Sequence, residues 1–340
     1  MARDQRSTEA GRSGGGVTLA EVAAAAGVGE STVSRVLRRH GSYSGRTRDR
    51  VIEAVERLGY VPNRIAGTLA STASRLVAMV IPSVTNIVFT DVLNGIGGPL
   101  EERGYQAVFA VTDYDPRREE SLVAAMLAWR PAAVILAGLE HTEATRRMLG
   151  AQACRVVELL DTDGPAIDLA IGISNRAAGR AGAGYLLGRG YRRIGYLGHD
   201  PFRDRRAGKR LEGFRAALAE AGRPPAAEMV LEGASSVARG REGLARLLAG
   251  APGLDAVYFS NDDMAVGGWF HCLEAGIAVP GRLALFGHNG LDIGAALPQP
   301  LATLRTPRDA MGREAARLVL EDAPAQVLDL GFELIPGATA

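Results

Sequence analysis

The sequence predicts an α/β protein in two parts: an all-α helix-turn-helix head plus hinge helix, then a two-lobed core of doubly wound parallel sheets. Three observations predict it. Residues 17–61 carry helix-period apolar spacing broken by a glycine turn. Beyond residue 75, short apolar runs alternate with amphipathic helical stretches. A chain of 340 residues also exceeds what one small core holds.

Composition narrows the classes. Net charge is +1, yet residues 1–75 hold 12 arginines against 7 acidic residues. A basic head on a mildly acidic body is the footprint of a module that meets nucleic acid. Lys209 is the only lysine. No run is long and apolar enough for a bilayer, and Met1–Gly16 lacks the apolar core of a signal peptide. A cytoplasmic protein with no membrane partner is expected. Cys154 and Cys272 lie far apart without CxxC spacing, which fits apolar fillers better than a disulfide or metal pair. No metal and no cofactor are expected.

The elements follow in order. Met1–Gly16 is rich in Gly, Ser and charge and reads as a disordered arm. Residues 17–61 read as the helix-turn-helix domain. Thr18 and Glu21 form a capping box that opens the first helix, and Gly27 ends it. Glu30–Arg38 forms the second, with Val33 and Val36 or Leu37 facing inward. Ser44 caps a third, whose apolar face is Val51, Ile52, Val55 and Leu58, and Gly59 stops it. Residues 62–75 read as hinge helix and linker. Pro62 suits the first position of a helix. That helix is too short to stand alone and is weakened by Gly67, so it should form only on a template.

Residues 76–340 read as the core. Its strand candidates are Leu76–Ile81, Ala107–Val111, Ala132–Ala137, Val156–Leu160, Ile194–Gly198, Val257–Ser260 and Leu283–Gly287. Two lobes are expected, one of about 76–173 with 306–323, the other of about 174–305 with 324–340. In such folds ligands bind beyond the carboxyl ends of strands. Ser83, Asp113, Asp161, Ser174, His199, Asn261 and Asn289 all follow apolar runs, each as a helix cap or a cleft residue. Asp262–Asp263 reads more simply as a cap than as a cation site.

The head carries the sharper chemistry. Glu30, Ser31 and Arg35 share one exposed helical face. Arg35 can bond guanine bidentately, and Glu30 can accept from cytosine N4. Thr32, Ser34 and Arg38 suit phosphate contacts, which set register rather than sequence. Thr18, Gly29, Ser44, Thr47 and Tyr60 join them as backbone candidates. In the hinge, Asn63, Arg64 and Ala66 precede Leu69, which can wedge between base steps in the minor groove. Enzyme signatures are missing: there is no GxGxxG after a strand, no GxxxxGK[ST], no HExxH and no GxSxG on a strand-to-helix turn. An enzyme or a cytoplasmic small-molecule-binding protein remains the alternative class.

Val17–Leu37 resembles the helix-turn-helix of the LacI/GalR family of bacterial repressors, and Tyr60–Arg64 with Leu69 resembles its hinge. The likeness continues through Ile81–Phe89, Gly190–Ile194, Arg210–Phe214 and Ser260–Gly267. It implies a three-helix head, a hinge helix and a periplasmic-binding-protein-like core. It also implies homodimers on pseudopalindromic double-stranded operator DNA, and the absence of a heptad tail favours a dimer over a tetramer. Pro82–Phe89, Val157–Asp161, Asp292–Gly294, Thr306–Arg308 and Leu328–Phe332 resemble the gluconate-utilisation repressors of that family, which implies a small sugar-acid effector. By resemblance Glu30, Ser31 and Arg35 fall at base-reading positions, and Val88, Phe89, Ile173, Arg210, Asn261 and Asn289 line the effector cleft. Ser83 and Asp161 are further effector candidates. Where the family has a Gly-aromatic-Asp-Asp turn, this chain has Gly287–Gly290, with His288 and Asn289 at its centre. Losing both carboxylates suits an anionic ligand. Arg210, with Lys209, could pair with a carboxylate, or Arg210 could be a surface ion-pair partner.

Overall fold

The computed structural model describes residues 17–38, 41–61 and 74–340. The chain divides into two compact units, Met1–Thr72 and Ala73–Ala340. The expectations for the arm, and for Pro62, Asn63, Arg64, Ala66, Gly67 and Leu69, lie outside the described residues.

The described head forms α1 (Leu19–Ala26), α2 (Glu30–Leu37) and α3 (Gly45–Leu58). The Thr18 hydroxyl accepts from the Glu21 amide, and the Glu21 carboxylate accepts from the Thr18 amide at 2.7 Å, so the capping box closes. Gly27 ends α1 at φ 60°, a left-handed conformation that a Cβ would strain. Val22, Ala23, Ala26, Val33, Val36, Val51 and Ala54 form the buried core. One expectation fails here. Ile52 faces solvent, because a step of three residues from Val51 puts Ala54 inward instead.

The second unit holds two parallel sheets. β1 (Leu76–Ile81), β2 (Gln106–Val111), β3 (Ala133–Ala137), β4 (Arg155–Leu159) and β5 (Leu169–Gly172) join β11 (Gln326–Asp329) in the order β11-β5-β4-β3-β1-β2. β6 (Ile194–His199), β7 (Ala227–Leu231), β8 (Ala256–Phe259) and β9 (Ala284–Phe286) are ordered β7-β6-β8-β9. Between strands run α4 (Ile87–Glu102), α5 (Pro116–Leu127), α6 (Glu143–Gly150), α7 (Asn175–Gly188), α8 (Arg205–Glu220), α9 (Val237–Gly250), α10 (Asp262–Glu274) and α11 (Asp292–Ala295). β10 (Thr303–Arg305) pairs antiparallel with β12 (Glu333–Ile335), and α12 (Arg308–Leu320) packs on α4. The largest apolar cluster runs through both lobes, from Val77, Ile135 and Val157 to Tyr196, Tyr258 and Phe286.

All seven apolar runs become strands, with ends shifted by a residue or so. The lobe boundary needs a correction. β11 pairs in parallel with β5, from Gln326 on Leu169 to Asp329 on Gly172, so residues 326–329 complete the first sheet instead of joining the second lobe. Only the stretch after them returns, to pair with β10.

Each sheet reverses its strand order once, at β1/β3 and at β6/β8. Such switch points open crevices at strand carboxyl ends. Close helix crossing fixes what enters them. A Cβ at Gly179 of α7 would lie 1.9 Å from the Arg210 carbonyl oxygen, and one at Gly213 of α8 would lie 2.0 Å from that of Arg176. Only glycine permits this approach, which sets the backbone of Arg210.

Within the first lobe, the buried His141 imidazole lies between two carboxylates. Nδ1 is 2.7 Å from Glu119 on α5, and Nε2 is 3.3 Å from Glu158 on β4. Burial disfavours the imidazolium, but the two carboxylates outweigh it and raise the pKa from 6.5 to about 9. A raised folded pKa stabilises fully below the unfolded value and loses its effect as pH climbs through the folded one. Stability should therefore fall between about pH 6.5 and 9, by up to roughly 3 kcal/mol. Thermal melts across that range should show the decline, and His141→Gln should flatten it.

Candidate functional site

Glu30, Ser31 and Arg35 lie exposed on α2. Arg35 folds back on its own helix, with Nη2 donating to the Thr32 hydroxyl at 3.2 Å. To reach a base edge it must swing outward. Gly29 is the N-cap of α2 and lends no side-chain bond. The helix's first amides therefore face outward, a favourable setting for phosphate. The Ser44 and Thr47 hydroxyls bond each other at 2.8 Å, and Thr18 is engaged with Glu21. Ser34 is half-buried, Arg38 is exposed, and Tyr60 packs on the head core. Sequence reasoning missed Arg50, whose guanidinium donates to the carbonyls of Ala26 and Gly27 and so closes the end of α1. Nothing in the sequence distinguishes it from the other arginines of α3.

In the second unit, two adjoining cavities open where the switch points face each other. The larger, about 190 Å³, is lined by Ser83, Asn86, Tyr114, His199, Ser235 and Asp263 among others. The smaller, about 30 Å³, is lined by Val88, Ile173, Asn175, Arg206, Arg210 and His288 among others. Asn86, Asp204, Asn261 and Asn289 border both. The lining comes from both lobes: Ser83 follows β1, His199 ends β6, Asn261 follows β8, and Arg206 and Arg210 lie on α8.

Three buried charge systems frame these cavities. Asp161, fully buried, receives Lys209 and also accepts from Asn175 Nδ2 at 3.2 Å. Lys209 also meets Glu140 at 2.6 Å. Asp204 accepts from Arg206 Nε at 3.1 Å and lies 3.3 Å from His199 Nε2. Burial pushes the Asp204 carboxyl up, but Arg206 and His199 outweigh it and hold it well below its usual value. Asp262 accepts from the Leu291 amide and the Thr303 hydroxyl, both at 2.6 Å. Burial nonetheless raises its pKa to about 6. It braces the loop after β9 and offers no cation site, and no metal-ligand cluster occurs among the described residues.

Arg210 differs from these. Its Nη1 donates to Asn175 Oδ1 at 2.9 Å and its Nη2 to the Ser260 carbonyl at 3.2 Å. Its buried Nε has no hydrogen-bond partner among the described residues, nor has the buried His288 Nδ1. Arg210 is only 5% exposed and meets no carboxylate within ion-pair distance among those residues, so the surface ion-pair alternative fails. Burial, with Arg210 nearby, holds the His288 pKa well below 6.5, so the ring is neutral.

Of the nine effector candidates, seven line the cavities: Ser83, Val88, Ile173, Arg210, Asn261, His288 and Asn289. Phe89 and Asp161 line neither. Phe89 sits in the apolar core with the Arg206 guanidinium 5.3 Å over its ring, and Asp161 is the counter-charge of Lys209. Lys209, spent on two carboxylates, is not available to a ligand anion. Sequence reasoning missed Asn86, Asn175, Asp204 and Arg206 as wall residues. Asn86 stood inside a quoted motif, but Arg203–Arg206 reads as a solvated charge run. Ser174 caps α7. Asp113 caps nothing: it sits at φ 54°, and Asp115 caps α5.

Comparison with known proteins agrees with this geometry. Residues 18–63 match the bacterial regulatory proteins of the lacI family, and residues 183–339 match a periplasmic binding protein-like domain. The HTH-type transcriptional regulator GntR of Escherichia coli is 37% identical, over 94% of this chain and 98% of its own. Its namesake in Pseudomonas aeruginosa is 38% identical, over 95% and 96%.

The chain belongs to the lacI family of bacterial regulatory proteins.

A solved lacI-family regulator from Silicibacter pomeroyi superposes with a TM-score of 0.91 at 46% identity, covering 95% of this chain and 99% of that one. This lacI-family chain is thus a DNA-binding transcriptional regulator and not an enzyme. No helix among the described residues is long and apolar enough to cross a membrane.

Lys209→Met leaves Asp161 buried without its cation. Removing one partner of a buried pair costs about 3–5 kcal/mol. Chemical denaturation of the full chain should show a loss of that order, whereas Arg180→Met, which breaks an exposed pair with Glu220, should leave the midpoint nearly unchanged.

Proposed function

We propose that this regulator is a repressor that leaves a pseudopalindromic operator when a small sugar acid, gluconate or a close relative, enters the cleft between its lobes. One observation carries the reading: a buried guanidinium at the cavity wall with, among the described residues, a free donor and no carboxylate partner. A buried charge left unpaired is costly, and a ligand carboxylate supplies the missing acceptor through charge-assisted bonds. A neutral sugar would leave that guanidinium uncompensated. Neutral His288 and the Asn261 and Asn289 amides offer further polar contacts without repelling an anion.

Release follows from where the walls originate. A ligand that touches residues from both lobes favours one lobe arrangement over another, and that preference is the coupling energy, typically about 1–3 kcal/mol. Two copies as a homodimer would present two α2 faces to the two half-sites of an operator in the cytoplasm. Glu30, Ser31 and Arg35 are the proposed base readers. Thr18, Gly29, Thr32, Ser34, Arg38, Ser44, Thr47 and Tyr60 are the proposed backbone contacts.

The test is selection of inverted-repeat duplexes by the purified chain, followed by gluconate titration of the complex. Gluconate should release the DNA. Arg210→Ala should keep operator affinity and lose the response; release of the mutant at ordinary gluconate concentrations would remove Arg210 from the effector site. Arg35→Ala should cost about 1–3 kcal/mol of operator binding and relax one base position, as read by competition with single-base variants.

A further inference from the structure

The two cavities differ in the charge they present. The smaller is bordered by the cations Arg206 and Arg210, with Asp204 as its one carboxylate. The larger keeps Asp204 and adds Asp263, among the hydroxyls of Ser83, Thr85, Tyr114 and Ser235. Against these two carboxylates it sets one guanidinium, the exposed Arg203, which donates to the Asp113 carbonyl at 2.7 Å, while His199 bonds Ser260 and Asp204. Asp263 accepts from the Met264 amide at 3.0 Å, and no cation lies within ion-pair distance of it among the described residues. Burial raises its pKa above the usual carboxyl value, against the opposing effects of the Ser235 hydroxyl and His199.

Size reinforces the asymmetry. A cavity of about 30 Å³ has room for about two water oxygens, which matches a carboxylate. A phosphate ester, with three peripheral oxygens, is too large for it. It would have to sit in the larger cavity, beside Asp263.

We infer that the cleft holds a monoanionic polyhydroxy acid end-on, its carboxylate beside Arg210 and its hydroxylated tail against Asp263, Ser235 and Ser83, and that it rejects a second anion at the tail. This rests on the sugar-acid reading above and extends it to the choice between a free aldonate and its terminal phosphate. Asp263 and Asp204 accept hydrogen bonds from tail hydroxyls. Asp263, with no cation at ion-pair distance among the described residues, repels a terminal phosphate or carboxylate, and rejecting a close competitor by like charge is an efficient route to specificity.

Calorimetric titration of the full-length chain with D-gluconate, 6-phosphogluconate and D-glucarate tests it. Gluconate should bind at least about tenfold more tightly than either of the multiply charged acids. Asp263→Asn should narrow the gap, chiefly by strengthening those two. Asp263→Ser serves as a second variant should the first misfold. Equal wild-type affinity for gluconate and 6-phosphogluconate would overturn the end-on orientation while leaving the sugar-acid reading intact. An unchanged gap in both folded variants would remove Asp263 from the discrimination. Failure of all three acids to bind would overturn the sugar-acid reading itself.

Discussion

A charge taken out of water must be met by another charge or by well-placed dipoles. The core obeys this at nearly every buried ion. Asp161 has Lys209, and Asp204 has Arg206 and His199. Among the described residues Arg210 is met only by an amide oxygen and a backbone carbonyl, and its Nε has no acceptor. The glycine-mediated crossing of α7 and α8 denies its backbone room to retreat. The rest of the cleft is arranged around that unfinished pairing. Asn175 joins Arg210 to Asp161, and the loop after β9 offers neutral groups where carboxylates would cancel the charge.

The head was almost fully legible because its signals are local. A capping box, a left-handed glycine and three-to-four spacing act within one helix and do not depend on distant packing. Central strands were legible for a different reason. Buried on both faces, β1, β3 and β6 are nearly continuous apolar runs. β7 and β11 lie at sheet edges with alternating or largely exposed residues, and neither shows such a run. The misplaced lobe boundary follows from that, since nothing local in Gln326–Asp329 says which sheet it completes.

The cleft was half legible. Arg210, Asn261, Asn289 and His288 could be named from motif positions. The pairings that decide which charges remain available could not. Asp204 and Arg206 are two residues apart in an arginine-rich stretch, yet both are buried and bonded to each other. Lys209 neighbours Arg210 in sequence, but the two side chains serve opposite ends: one is sealed by carboxylates and the other is left open. Helical periodicity alone cannot separate them, because the partners arrive from the loops after β4 and β3.

Lysine usage has a consequence for how this protein is controlled. Acylation of a lysine ammonium group erases its positive charge, which on a phosphate-facing surface would weaken DNA binding. Here the sole lysine lies clasped between Glu140 and Asp161, and the basic side chains of the head are all arginine. A cell rich in acetyl donors has no side-chain amine there to modify. Charge erasure of that kind is barred from the head, whose arginines keep their charge whatever the supply of acyl donors.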